Sequence, residues 1–158
     1  MQSLQIEPLD DPAEIDACAR MMAASDPWLT LGRGVDACAR ALRDATRERW
    51  IARLDGEIAG FLILNMTGAF VGYIQTVFAA ERMRGRGVGS ALLAFAEERI
   101  FAVSPNVFLC VTSFNEGARR LYERSGYEVV GPLRDYLVRG YDEILMRKTR
   151  GPMSEFGR

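Results

Sequence analysis

Glu81-Arg82-Met83-Arg84-Gly85-Arg86-Gly87-Val88-Gly89-Ser90-Ala91-Leu92-Leu93 joins the end of an apolar run to an amphipathic helix through basic residues and alternate glycines. The stretch reads as a pyrophosphate cradle. Gly85, Gly87 and Gly89 are expected to take positive φ angles, so that the backbone approaches a ligand with no side chain in the way. Successive N–H groups then converge on one anion. The helix that follows adds its unsatisfied first-turn donors, at Val88, Gly89 and Ser90, and the positive end of its dipole. Arg84 and Arg86 bring mobile charge to the same spot.

Two better-known glycine loops fail against this stretch. A dinucleotide fingerprint beginning at Gly85 needs glycine where Ser90 stands, and an acidic residue about twenty positions on, where Ser104 and Pro105 stand. A Walker loop ends in Gly-Lys-Ser/Thr, but the chain's only lysine is Lys148. What remains is Arg84-x-x-Gly87-x-Gly89. Standing alone, this pattern also fits a plain glycine loop that caps a helix.

Composition narrows the function classes. At 158 residues, 49% hydrophobic and 26% charged, the chain is a globular domain with enough apolar material for a core. The formal net charge of -1 gives no electrostatic case for nucleic acid or an anionic membrane as the main partner. No apolar run approaches the roughly 18 residues of a spanning helix. The start, Met1 to Glu7, lacks the regions of a leader peptide, so the expected location is cytoplasmic. Cys18, Cys38 and Cys110 are an odd number without metal spacing, which predicts reduced thiols and no disulfide framework. Histidine is absent, which removes serine–histidine triads, cysteine–histidine dyads and most catalytic zinc sites; no metal is expected.

Taken in order, Leu4 to Pro8 reads as a strand, and Asp11-Pro12-Ala13-Glu14 as a helix start with Asp11 as cap. Ile15, Cys18, Met21 and Met22 share a helical face, so this helix runs to about Ala24. A loop holding Trp28 and a second helix, about Val35 to Ala45, follow. Asp16 to Arg20 reappears as Asp36 to Arg40, but nothing around it matches. Arg49 to Leu54, Asp55-Gly56 and Ile58 to Asn65 form a hairpin signal. A further strand, Gly72 to Ala79, enters the glycine stretch. In the helix after it, Val88, Ala91, Leu92, Phe95, Ala96 and Ile100 face inward and Glu97, Glu98 and Arg99 outward. Pro105-Asn106 breaks it. Val107 to Val111 reads as a strand buried on both faces, parallel to the previous one through a right-handed crossover. A helix from near Ser113–Glu116 to Ser125-Gly126 and two closing strands, Tyr127 to Val130 and Asp142 to Lys148, complete the pattern.

Asn115-x-x-Ala118-x-x-Leu121-Tyr122-Glu123-x-x-Gly126-Tyr127 is a second motif at a fixed distance after the first. Asn115 and Tyr122 lie two helical turns apart on nearly one face, with the small Ala118 between them. A ligand can run along that face from amide to phenol. Alternatively Asn115 is a helix cap and Tyr122 a core aromatic. Together the two motifs resemble the Q/R-x-x-G-x-G/A and N-x-x-A-x-x-x-Y-x-x-x-G-F/Y elements of the GNAT family of N-acetyltransferases, and the resemblance covers about Leu4 to Lys148.

The resemblance implies a mixed α/β sheet of about seven strands with four helices, and central parallel strands that splay apart. Residues 1–150 would be one acyltransferase domain and 151–158 a loose tail. It implies acetyl-CoA as donor, with backbone groups of Val77, Phe78 and Ala79 on the pantetheine arm. The pyrophosphate would lie on Arg84, Gly85, Arg86, Gly87, Val88, Gly89 and Ser90, with Asn115 alongside. Tyr122 would protonate the leaving thiolate. The implied partner is an amine acceptor that attacks acetyl-CoA directly; the oligomeric state is left open, a dimer included.

Within the family the closest pattern is the ribosomal-protein-alanine branch, through Val111-Thr112-Ser113-Phe114-Asn115 and Asp142-x-x-Leu145-Met146. That branch carries a glutamate where Cys110 stands here. The base therefore stays open among Gln75, Tyr73, Glu81 and a relayed water. Trp28, Gln75 and Tyr136 are candidate acceptor contacts, with packing as the alternative role of the aromatics. The expected acceptor is a peptide N-terminal amine; a small-molecule amine, or a CoA-binding module without catalysis, are the alternatives.

Overall fold

The computed structural model describes residues 3–158. Seven strands form one sheet in the order β1-β2-β3-β4-β5-β7-β6. These are β1 (Leu4–Pro8), β2 (Glu48–Leu54), β3 (Glu57–Asn65), β4 (Tyr73–Ala79), β5 (Asn106–Thr112), β6 (Glu128–Leu133) and β7 (Glu143–Thr149). The helices are α1 (Pro12–Ala23), α2 (Val35–Arg43), α3 (Val88–Phe101) and α4 (Glu116–Arg124). This is the expected mixed α/β architecture, with every neighbouring pair antiparallel except β4–β5.

Local chemistry sets the elements. Asp11 caps α1, its carboxylate accepting from the Ala13 N–H at 2.9 Å, with Pro12 at the first position. Asp55 and Gly56 take φ of 54° and 82°, a turn whose twist suits a two-residue hairpin between β2 and β3. Pro132 sits in β6, the edge strand, where proline is tolerated.

Alternation on β2 places the helices. Glu48 and Trp50 point to α3, where Arg99 forks the Glu48 carboxylate at 2.8 Å through both nitrogens and Phe95 meets the Trp50 ring edge-on at 4.8 Å. Arg49, between them, points to the other side and donates to the Leu42 carbonyl at the end of α2. So α3 covers one sheet face and α2 the opposite one. The core between them includes Phe61, Leu62, Ile63, Leu92, Ile100 and Leu109, all fully buried.

Four details depart from the sequence reading. Helix α2 ends at Arg43, because Asp44 turns extended and takes Thr46 into its own side-chain turn. Glu97 does not face outward: its side chain is 16% exposed and accepts from Lys148 of β7 at 2.9 Å. Arg99 is likewise drawn in, over the Trp50 ring at 4.6 Å. Asn106 does not break α3, which has ended at Phe101, but opens β5.

The feature that makes the site lies at the centre of the sheet. β4 and β5 pair only at Tyr73–Phe108 and Ile74–Leu109. On the other side of β4 the register with β3 jumps between Ile63–Thr76 and Leu64–Ile74, leaving Gln75 as an extra residue. A bulge bends its strand. Here the bend begins one residue after the last β5 pair, and the two strands part.

Candidate active site

The gap between β4 and β5 opens into a cleft of about 690 Å³, within the size range of small-molecule sites. One wall is the free edge of β4 from Gln75 to Ala79; the other is the end of β5 from Cys110 to Thr112 and the start of α4. Val77, Phe78 and Ala79 keep their β3 partners on one edge, so the opposite edge offers backbone groups to a ligand.

One end of the cleft is the glycine loop. Gly85 and Gly87 have φ of 75° and 78°, and a Cβ at either would meet nothing within 4 Å, so the path over the loop is clear. Gly89 differs from expectation. It lies inside the first turn of α3, outside the left-handed region, where a Cβ would make an ordinary contact 3.5 Å from Leu121 of α4. Gly87 caps α3 with no side-chain hydrogen bond and no acidic residue follows in the first turn. The N–H groups of Val88, Gly89 and Ser90 therefore face the cleft mouth unfilled, an anion site by donor geometry and dipole. Arg84 lines this end and among the described residues has no acidic partner. Arg86 turns away from the cleft lining, toward Asp55 at 3.9 Å and the Met83 sulfur.

Tyr122 reaches the cleft from α4. Burial pushes its phenol up to about 12. It therefore stays protonated at neutral pH. A buried, protonated donor aimed into a cleft suits protonation of a leaving group. Asn115 is the helix cap, its Oδ1 accepting from the Ala118 N–H at 3.3 Å, and the residue also lines the cleft.

The other end is walled by Trp28, Leu31, Phe114 and Leu137. Trp28 packs against Phe78 at 6.0 Å, and Phe78 stacks on Phe61 at 4.6 Å, so this wall is anchored in the core. Gln75 lines the cleft with its Oε1 held by Arg47 Nε at 2.9 Å. Tyr136 is 55% exposed and lies outside the lining; Leu137 occupies that place. Of the bases left open, Glu81 stands exposed at the start of a short turn and does not line the cleft. The Tyr73 phenol is driven far above its usual range, first by burial and then by Cys110. Burial also raises the Cys110 thiol. Neither is a base at neutral pH.

Sequence reasoning missed Glu143. It lines the cleft, is 6% exposed, and its carboxyl is raised by burial against a lowering hydrogen bond from Thr112. Next to Asp142 at a strand start it reads as a solvated acid. The signal that finds it is register, since Glu143 pairs with Thr112 of β5.

A splayed parallel pair, a glycine loop feeding the N-terminus of a helix and a tyrosine on the next helix thus frame one cleft. The chain belongs to the GNAT acetyltransferases: that family's profile, "Acetyltransferase (GNAT) family", matches residues 12–127. It is an N-acetyltransferase. It is 30% identical over 146 residues to the N-alpha-acetyltransferase RimI of Mycobacterium tuberculosis, covering 90% of this chain and 87% of that protein. An uncharacterised N-acetyltransferase of Methanocaldococcus jannaschii is 33% identical over 110 residues, 66% of this chain and 70% of the relative. The crystal structure of the ribosomal-protein-S18-alanine N-acetyltransferase from Escherichia coli superposes with a TM-score of 0.74 at 18% identity, over 97% of each chain, a likeness of fold.

Proposed function

We propose that the chain transfers the acetyl group of acetyl-CoA to a peptide N-terminal amine by direct attack in the β4–β5 cleft. The observation that carries this reading is the free β4 edge, Val77 to Ala79, running from the uncapped N-terminus of α3 toward the Trp28 wall. The residues present fit coenzyme A: Val88, Gly89 and Ser90 amides with Arg84 for the pyrophosphate, and Val77, Phe78, Ala79 and Asn115 for the amide-rich arm. When bound, the cofactor supplies an activated acetyl thioester. Backbone N–H groups of the β4 edge stabilise charge developing on its carbonyl oxygen, and Tyr122 gives a proton to the departing sulfur.

Two observations favour a peptide end over a polycationic small molecule. Among the described residues only Asp26 and Glu143 bring negative charge to the lining, too few to hold several ammonium groups. The mycobacterial relative, an N-alpha-acetyltransferase, is similar over nearly the whole chain. We place the enzyme in the cytoplasm, where its three free cysteines stay reduced.

The test is acetyl-CoA-dependent thiol release with short peptides of varied first residue beside single-charge and multiply charged amines. Turnover with peptides bearing a free N terminus, lost on blocking that terminus, is expected. Turnover confined to small amines refutes the acceptor assignment and leaves the transferase intact.

A further inference from the structure

We propose that Glu143 is the proton acceptor for the incoming amine. The inference rests on the acetyl-transfer reading of the cleft and deepens it. Register places the residue: Thr112 pairs with Glu143 and Cys110 with Leu145, so these four side chains share a sheet face. The parallel pair Tyr73–Phe108 brings Tyr73 to that same face. Glu143 thus stands diagonally across from Cys110, at the floor of the cleft's acceptor half.

Its surroundings set it apart from the chain's other sequestered acids. Glu48 is forked by Arg99, Glu97 is held by Lys148, and Glu14 is paired with Arg53. Among the described residues Glu143 has no cationic partner, only the Thr112 hydrogen bond. A carboxylate removed from water without a countercharge destabilises the fold. An ammonium entering the cleft supplies that charge. The titratable groups around it are Cys110 on β5, Tyr73 on β4 and Tyr136, near Tyr73, between β6 and β7. Burial raises the Cys110 thiol and the Tyr73 phenol, so both are neutral at pH 7 and Glu143 is the group beside them that takes up a proton.

The step balances. The ammonium passes one proton to the Glu143 carboxylate, and the freed nitrogen pair forms the C–N bond at the thioester carbon. The C–S bond breaks and its electron pair takes the Tyr122 proton. The surplus proton on the new amide nitrogen restores Tyr122, and Glu143 releases its own to solvent. Per turnover one amide, one thiol and one free proton are formed.

The experiment compares wild type, Glu143→Gln and Glu143→Asp by kcat/KM against pH, using the acceptor found above. Carboxyl 13C resonances are titrated in the protein alone, and thermal unfolding checks that each variant folds. Glu143→Gln is expected to lower kcat/KM by about 10²–10⁴-fold. Its lower pH inflection disappears while the amine's own remains, coenzyme A affinity holds within about twofold, and Glu143→Asp recovers part of the rate. A carboxyl titrating above the ordinary glutamate value of about 4.3 vanishes in Glu143→Gln. Turnover within twofold of wild type, or a loss in KM alone with the inflection kept, overturns the proposal while the transferase reading stands. Wild type inert toward every acceptor refutes both.

Discussion

Gly60→Ala tests how the packing of the sheet holds the site open. A Cβ at Gly60 would fall inside van der Waals contact of the Phe78 carbonyl oxygen, 3.0 Å from Leu92 Cδ1 and 3.1 Å from Val88 Cγ1. Leu92 and Val88 can each give a few tenths of an ångström, but the tightest neighbour is backbone. β3 and β4 must therefore separate. Overpacking of this kind costs about 1–3 kcal/mol, offset by about 0.4–1 kcal/mol from the stiffer unfolded chain. The net expectation is a loss of about 1 kcal/mol, or about 2–4 °C in Tm for a chain of this length. Phe78 and Val88 also line the cleft, so the displacement reaches the cofactor. Loss of one backbone hydrogen bond to it, about 0.5–1.5 kcal/mol, weakens coenzyme A by about 2–10-fold. Circular dichroism melting and calorimetric titration of coenzyme A read the two effects. A Tm within 1 °C of wild type with unchanged affinity would refute the close approach of β3, β4 and α3.

At Gly87, φ of 78° strains any side chain although space is free, so Gly87→Ala should lose about 1–2 kcal/mol and Gly87→Asn, which tolerates that conformation, distinctly less; the ordering of the two Tm values checks it. The Arg99 hydrogen bonds hold the Glu48 carboxyl below its usual range. A depressed folded-state pKa contributes stability above the unfolded value, about 4.3, that is lost as pH falls through the folded value. Because both partners are about a third exposed, Glu48→Gln should lose no more than about 1 kcal/mol at pH 7, and urea midpoints of mutant and wild type should converge toward pH 3.

The parts of the molecule written in local signals were legible in the chain. Asp11-Pro12 starts α1, Asp55-Gly56 turns the hairpin, and Arg84-x-x-Gly87 with Asn115-x-x-Ala118 falls on the lining of the cleft; each depends on residues a turn or two apart. What escaped depends on pairing between distant segments. The bulge at Gln75 needs the β3–β4 register. Glu97 looks solvated until Lys148, on the penultimate position of β7, is brought beneath it. Glu143 is the plainest case, since only its pairing with Thr112 turns a strand-start acid into a buried one facing the cleft. Arg86 shows the converse: composition places its charge at the cradle, while the β2–β3 turn offers Asp55.

The central claim is that the β4–β5 cleft carries acetyl transfer with Tyr122 as proton donor. Tyr122→Phe keeps the ring, which packs edge-on against Tyr127 at 5.9 Å, and removes only the hydroxyl. The direct measurement is the single-turnover rate of this variant beside wild type, with coenzyme A affinity determined on the same samples. The account predicts a fall of about 10²-fold or more with affinity held within twofold. A rate within twofold of wild type, at equal affinity, would contradict it.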